Sequence, residues 1–289
     1  MYGSARYRKV FSRKGIFVLM RKIFFLFILF GGTSLYSLEK APWFGDVYEF
    51  HFLSKYTYFH FTDVNGAIIQ PDSSSNNHLV HFDMAFAPSL QWSIDFDLEF
   101  IDTPRQDFGF RSVAFQARYL FKDDILGDPL SLSLGGNFRV VSSESLKDVS
   151  TMYHSDLDFE FNLAFGKEFS HLDYWRFRFW AYGSVGIANK GSPWIRGEAA
   201  IEGNIQEKRK WALFVQALHG YAKGNRINVF DFDGYAKIRE RNIDLGFRYG
   251  YRFLVWGTLS FEYKRRVLAK LCPEEVNFFS VSYLLPFSF

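Results

Sequence analysis

Asp95, Asp97 and Glu99 stand two residues apart in the run Trp92-Ser93-Ile94-Asp95-Phe96-Asp97-Leu98-Glu99-Phe100. Asp156, Asp158 and Glu160 repeat the spacing in Asp156-Leu157-Asp158-Phe159-Glu160-Phe161. An extended chain turns successive side chains to opposite faces, so each trio puts three carboxylates on one face and apolar residues on the other. Basic residues with the same alternation follow or intervene: Arg118, Arg139, Arg176, Arg178 and Arg248. Acid and base on neighbouring strands pair across a ladder and stabilise a wall. Lining an aqueous lumen, the same groups form a field that sorts small charged solutes. These eleven residues are the expected pore lining, with Lys55, His81, Asp83, Arg196, Glu198, Asp244 and Glu262 as further inward candidates.

Other chemistries find little support. Nucleophilic catalysis needs a Ser or Cys beside a base that a third group orients. Of the seven histidines His154, followed by Ser155, stands beside a rim, and no second His-Ser pair in that order and no strained glycine-flanked serine accompanies it. His78, His81 and Asp83 approach a metal-ligand spacing, yet 78 and 81 have opposite parity and face opposite sides of a strand. No catalytic, cofactor-binding or metal site is therefore expected. Cys272 is the single cysteine, which removes a disulfide framework and leaves one thiol for an intermolecular bridge or for nothing.

The elements that must hold these residues follow from composition and period. The chain has 289 residues, 48% hydrophobic and 20% aromatic with 36 Phe, which excludes disorder. A charged fraction of 22% is too high for a bundle of membrane helices. Arg21-Lys22, the apolar run 23–30 and the small residues 31–37 have the form of a secretory signal peptide. Met20 directly before Arg21 marks an alternative start, with 1–19 then outside the protein proper. The expected organisation is a leader over 1–37 and one domain over 38–289. Residues 1–37 hold seven of the 34 basic residues and none of the 31 acidic ones, which leaves 27 against 31 and a net charge of −4. Nothing in that balance suggests a nucleic-acid footprint.

Beyond residue 46 the period is two. The alternation predicts twelve strands, over 47–60, 79–86, 90–101, 111–121, 130–141, 155–167, 175–187, 194–206, 211–221, 239–249, 255–264 and 276–289. Long links (61–78, 102–110, 142–154, 222–238 and 265–275) alternate with short ones, with 188–193 a compact exception on the long side, and both termini fall on the short side. That is the layout of an all-β, transmembrane, antiparallel up-and-down barrel. Lipid outside explains the Phe-rich face better than a soluble core would. Trp43, Phe44, Tyr56, Tyr58, Trp92, Trp175, Trp194, Trp211, Tyr249, Tyr251 and Trp256 cluster toward segment ends, as interfacial girdles require.

The last segment carries a resemblance. Val281, Tyr283, Leu285, Phe287 and Phe289 alternate back from a terminal phenylalanine. This resembles the sorting signal that the barrel-assembly machinery of diderm bacteria recognises in outer-membrane β-barrel proteins as a class. The resemblance implies an outer-membrane location, with lipid and the assembly machinery as partners. It names no narrower family. Twelve strands about 4.8 Å apart give a cylinder about 24 Å across, with about 10 Å left between side chains. The leading functional expectation is a narrow channel for small hydrophilic or charged solutes. A non-conducting surface protein that binds a partner through its long loops comes second, and a lipid-active enzyme using His154 third.

Overall fold

The computed structural model describes residues 40–71, 73–171, 174–253 and 256–288. The expected leader and Phe289 lie outside the described residues. Twelve antiparallel strands close on themselves in sequence order: β1 (Phe50–Phe61), β2 (Ser75–Ser89), β3 (Trp92–Asp102), β4 (Gly109–Lys122), β5 (Ser131–Val141), β6 (Leu157–His171), β7 (Tyr174–Ala188), β8 (Trp194–Ile205), β9 (Arg209–Gly220), β10 (Arg241–Arg252), β11 (Thr258–Lys270) and β12 (Asn277–Phe287). β1 closes the barrel on β12 from Phe50 opposite Phe287 to His60 opposite Asn277. Closure leaves no strand edge unpaired, the condition for a sheet to sit in hydrocarbon.

The period-two pattern decides which side chains face out. Phe96, Phe115, Phe161, Phe179, Phe247, Phe261 and Phe279 are all exposed, Phe161 at 71%. The intervening residues, among them Asp95, Arg118, Glu160 and Glu202, are buried inside the wall. A contiguous exposed belt of this kind is not a water-facing surface, and it suits hydrocarbon. Trp92 meets Tyr119 edge to face at 5.1 Å at one end of the belt, and Tyr263 meets Phe279 at 5.1 Å toward the other. Four aromatics expected in the girdles are elsewhere. Trp43, Phe44, Trp175 and Trp194 are each under 9% exposed and pack inward.

Strand ends depart from the sequence reading where polarity misled it. β2 begins at Ser75 rather than 79, because Ser75, Asn76 and Asn77 pair with Phe61, His60 and Phe59 of β1. The stretch 142–156 includes a single helical turn, α1 (Ser143–Leu146), capped by the Ser142 hydroxyl, which accepts from Ser145 N.

Both ends of the barrel are occupied. At the end opposite the termini, four connections fold over the mouth. Val64, Val149, Ile227, Val229, Phe232, Tyr235, Leu271, Cys272 and Val276 join Phe59, Phe61 and Ile101 in one apolar cluster. Backbone bonds knit the connections together: Asn65 N to Cys272 O, Ile227 N to Gly66 O and Tyr235 N to Tyr153 O, each 3.0 Å or less. At the terminal end, the segment before β1 turns into the barrel. Ala41 and Trp43 pack there with Ala164, Trp180, Tyr182, Ala200 and Phe214. Gly166 permits the approach, since a Cβ on it would lie 2.7 Å from the Trp43 ring.

Candidate functional site

The chemistry-bearing side chains converge in the lumen between these two closures. Its middle is organised by Tyr153, which the loop after β5 drops into the barrel. Arg139 Nη1 donates to Tyr153 Oη at 3.0 Å, to Ser112 Oγ at 2.7 Å and to Asp97 Oδ1 at 3.1 Å. Glu99 accepts from the Tyr153 hydroxyl, and Arg111 Nε lies 3.5 Å from Glu99. The guanidinium groups of Arg111 and Arg139 stand 4.8 and 5.0 Å from the Tyr153 ring centroid, close enough for cation–π attraction. Burial beside this carboxylate holds the Tyr153 hydroxyl well above its ordinary pKa, so it acts as a neutral donor.

Around this hub acid and base pair along the wall. Arg118 Nε stands 3.6 Å from Asp95, Arg196 lies 2.5 Å from Glu160, and Arg178 bonds Glu202. Glu262 accepts from both Lys55 and Arg248 at 2.9 Å, and Arg266 clamps Asp244 with two bonds of 2.8 and 3.2 Å. A buried charge costs several kcal/mol unless it is paired and hydrogen-bonded, which is why the sequence places acid and base at matched parity.

Nine of the eleven expected lining residues point inward: Asp95, Asp97, Glu99, Arg118, Arg139, Asp158, Glu160, Arg178 and Arg248. Arg176 does not. The β6–β7 ladder runs from Phe169 opposite Phe177 directly to Ser170 opposite Trp175, so Arg176 is skipped. That bulge turns Trp175 inward beneath Arg178, 4.4 Å from its ring, and leaves Arg176 exposed against Tyr174. Asp156 is the other correction. It precedes β6 and lies half-exposed 3.3 Å from Lys190, outside the lumen, where hydrogen bonds from Asn189 and Lys190 outweigh slight burial and hold its carboxyl below the usual value.

Val281 and Tyr283 are exposed on the outer face of β12, and Phe287 stacks on Phe50 at 5.5 Å across the closing seam. Leu285, on the same face, is 8% exposed.

The segment before β1 contributes lining that sequence reasoning placed at the membrane surface. Lys40 Nζ reaches Glu198 at 2.8 Å, Arg118 Nη1 donates to Ala41 O at 2.9 Å, and Trp43 Nε1 donates to Asp124 Oδ1 at 2.8 Å. The Arg118 and Arg178 guanidinium groups stack on Phe44 and Trp43 at 5.0 and 5.1 Å. The available signal was Ala41-Pro42-Trp43-Phe44 itself, an apolar patch upstream of the first alternating run.

Two cavities of about 350 and 360 Å³ remain inside. Lys40, Lys55, His81, Glu99, Gln216 and Glu262 line both, so they adjoin. Each is near the lower end of small-molecule sites, about 300–1,000 Å³.

His154, the histidine nearest a catalytic pattern, lies under the loop cap. It is hydrogen-bonded to Glu240 at 2.7 Å and stacked on Trp194 at 3.7 Å, with Ser155 bonded through its backbone N–H to Asp158. Neither His154 nor Ser155 faces the lipid belt; both are 3% exposed. Cys272 is fully buried in the cap, its thiol 3.5 Å from Arg241 O, and burial pushes its pKa up to about 11. It offers no surface thiol for a bridge.

No family model matches the chain, and no curated protein matches it in sequence. Solved structures do match in shape. An outer-membrane channel from Pseudomonas putida F1 superposes with a TM-score of 0.62 at 9% identity, covering 88% of this chain and all of that one. The NanC porin gives 0.55 at 10% identity, covering 82% of this chain and all of the porin. Likeness at such low identity establishes the fold, which is that of the bacterial outer-membrane barrels, and an outer-membrane location accords with it.

Proposed function

We propose that the protein is an outer-membrane channel for small hydrophilic solutes, held closed by its own chain at both ends. The observation that supports this most is the pair of adjoining cavities, lined by charges of both signs and enclosed by a wall whose outer face is apolar. A barrel serving only as a loop platform gains nothing from hydrated, charged space at its centre, because apolar side chains would fill it at lower desolvation cost. The segment around Trp43 narrows the terminal end, and the apolar loop cluster caps the other. The two closures lie in series, so conduction requires both to move aside, and the segment around Ala41 and Trp43, which belongs to no strand, is the one that a truncation removes without touching the wall.

The test is conductance of the refolded mature chain in a planar bilayer. Stepwise channels that grow when residues 40–45 are deleted support the reading. Silence from both the full and the shortened chain overturns it.

A second reading has one observation in its favour. Four loops share a hydrophobic cluster that fixes their shape, as a binding surface requires. On that reading the barrel is an anchor. Binding to cells or a partner protein that disappears on replacing the loops 62–74 and 221–240, in a chain that never conducts, would favour it.

A further inference from the structure

Asp83 and Asp97 stand directly opposite each other across the β2–β3 ladder, both turned into the barrel. Like charges directly opposite repel, so something must offset one of them. Arg139 bonds Asp97 Oδ1 at 3.1 Å and serves that residue. Asp83 has no ion-pair partner among the described residues, and its Oδ1 is a buried oxygen with no hydrogen bond. Its other ladder neighbour is Leu53, which offers neither charge nor donor.

His81 sits two residues away on the same face of β2. Its Nε2 lies 2.6 Å from Asp97 Oδ2, yet that buried nitrogen also lacks a properly directed hydrogen bond. A nitrogen and a carboxylate oxygen thus meet at close range without a proton aligned between them. One donor atom from each of His81, Asp83 and Asp97 falls within 4.8 Å of the others. Two of the three carry buried atoms that the protein leaves without a hydrogen bond.

We propose that His81, Asp83 and Asp97 bind a divalent transition-metal cation on the lumen wall, Zn²⁺ being the natural probe. One imidazole nitrogen with two carboxylate oxygens is a donor set suited to that ion, at about 2.0–2.2 Å per ligand. Mg²⁺ and Ca²⁺ favour oxygen alone. The three donors lie on two adjacent paired strands, so the backbone fixes their spacing and only side-chain rotation is needed to close on an ion. His81 lines both cavities, which supply the entry path and water for the open position. Arg139 occupies only Oδ1 of Asp97 and leaves Oδ2, the oxygen beside His81, for the ion. Arg118, paired with Asp95 one inward position along β3, and Lys55, opposite His81 on β1 and bound to Glu262, are further nearby cations, and they limit affinity while each is held by its own carboxylate. His78 and His81 face opposite sides of β2, and the third ligand, Asp97, comes from the next strand.

The test is calorimetric titration of ZnCl₂ into the refolded mature chain in detergent micelles, with Co²⁺ absorbance as a second readout. One stoichiometric site is expected. It should be lost in Asp83→Asn, weakened at least tenfold in His81→Gln, and unchanged in His78→Gln, whose side chain faces outward. Asp83→Asn removes a charge that has no partner, so that variant should fold, and a heat-modifiability gel checks each one. Absence of stoichiometric binding to the parent chain, as a proton shared by Asp83 and Asp97 would produce, overturns the proposal. Equal binding in Asp83→Asn and His81→Gln does the same. Neither outcome bears on conductance, so the channel reading stands or falls separately.

Discussion

Trp43 Nε1 donates to Asp124 Oδ1 over 2.8 Å, tying the segment ahead of the first strand to the turn between β4 and β5. Asp124 also accepts from Glu168 N at 2.7 Å, so one carboxylate joins the inserted segment, a turn and the wall of β6. The closure at this end is a fitted contact made of two aromatic rings, two guanidinium groups and a few hydrogen bonds.

That contact gives the first prediction. Trp43→Ala removes a buried ring and its hydrogen bond, which costs about 3–5 kcal/mol where the site cannot collapse. The loss falls on the inserted segment, because the barrel wall has its own ladder bonds. Conductance in a planar bilayer should rise relative to the parent chain, while the heat-modifiability shift on a gel stays the same.

His154 and Glu240 are both buried beneath the cap, and Glu240 Oε2 already lacks a partner. Removing the imidazole leaves a carboxylate wholly uncompensated, at a cost of about 3–5 kcal/mol. His154→Ala should therefore make the loops sensitive to protease at temperatures where the parent resists. The double variant His154→Ala/Glu240→Ala, which removes both partners, should recover much of that resistance.

Cys272 links the cap to pH. Its thiol is raised in the folded state to about 11, so the folded protein holds that proton more tightly than the unfolded chain does. The full contribution is present below the ordinary thiol pKa and declines as pH rises from there to about 11. Two units correspond to about 3 kcal/mol of differential stability. Cap stability, measured as hydrogen exchange or urea sensitivity, should fall across that window in the parent and less in Cys272→Ala. A maleimide should label Cys272 only after denaturation.

Glu262 is shared by Lys55 and Arg248. Glu262→Gln leaves two cations facing the inner cavity with no carboxylate between them. If the barrel conducts, reversal potentials in a salt gradient should shift toward anions, and Arg248→Gln should shift them back. Identical selectivity in all three chains would show that these groups only brace the wall.

The period of two was legible in the residues because a strand alternates its faces by geometry alone. Phe96 outside with Asp95 and Asp97 inside needs no tertiary information beyond the choice of where lipid lies. Strand number and the C-terminal alternation were readable for the same reason, and so was the placing of acidic and basic rows on the inward face of neighbouring strands. Arg176 was not, because a bulge at Phe169 and Ser170 resets parity, and a bulge depends on the partner strand. Nor was Asp156, which lies one residue outside β6 where alternation no longer governs direction.

Local pattern thus determined a barrel, its greasy outside and its charged inside. The tertiary structure alone decided what fills that inside. Trp43 reaches Trp180, Tyr153 reaches Glu99, and Asp83 faces Asp97 only after distant segments have been brought together by closure of the sheet. Such contacts depend on register and on the space left between opposite walls, and neither quantity is written in the spacing of residues along one strand.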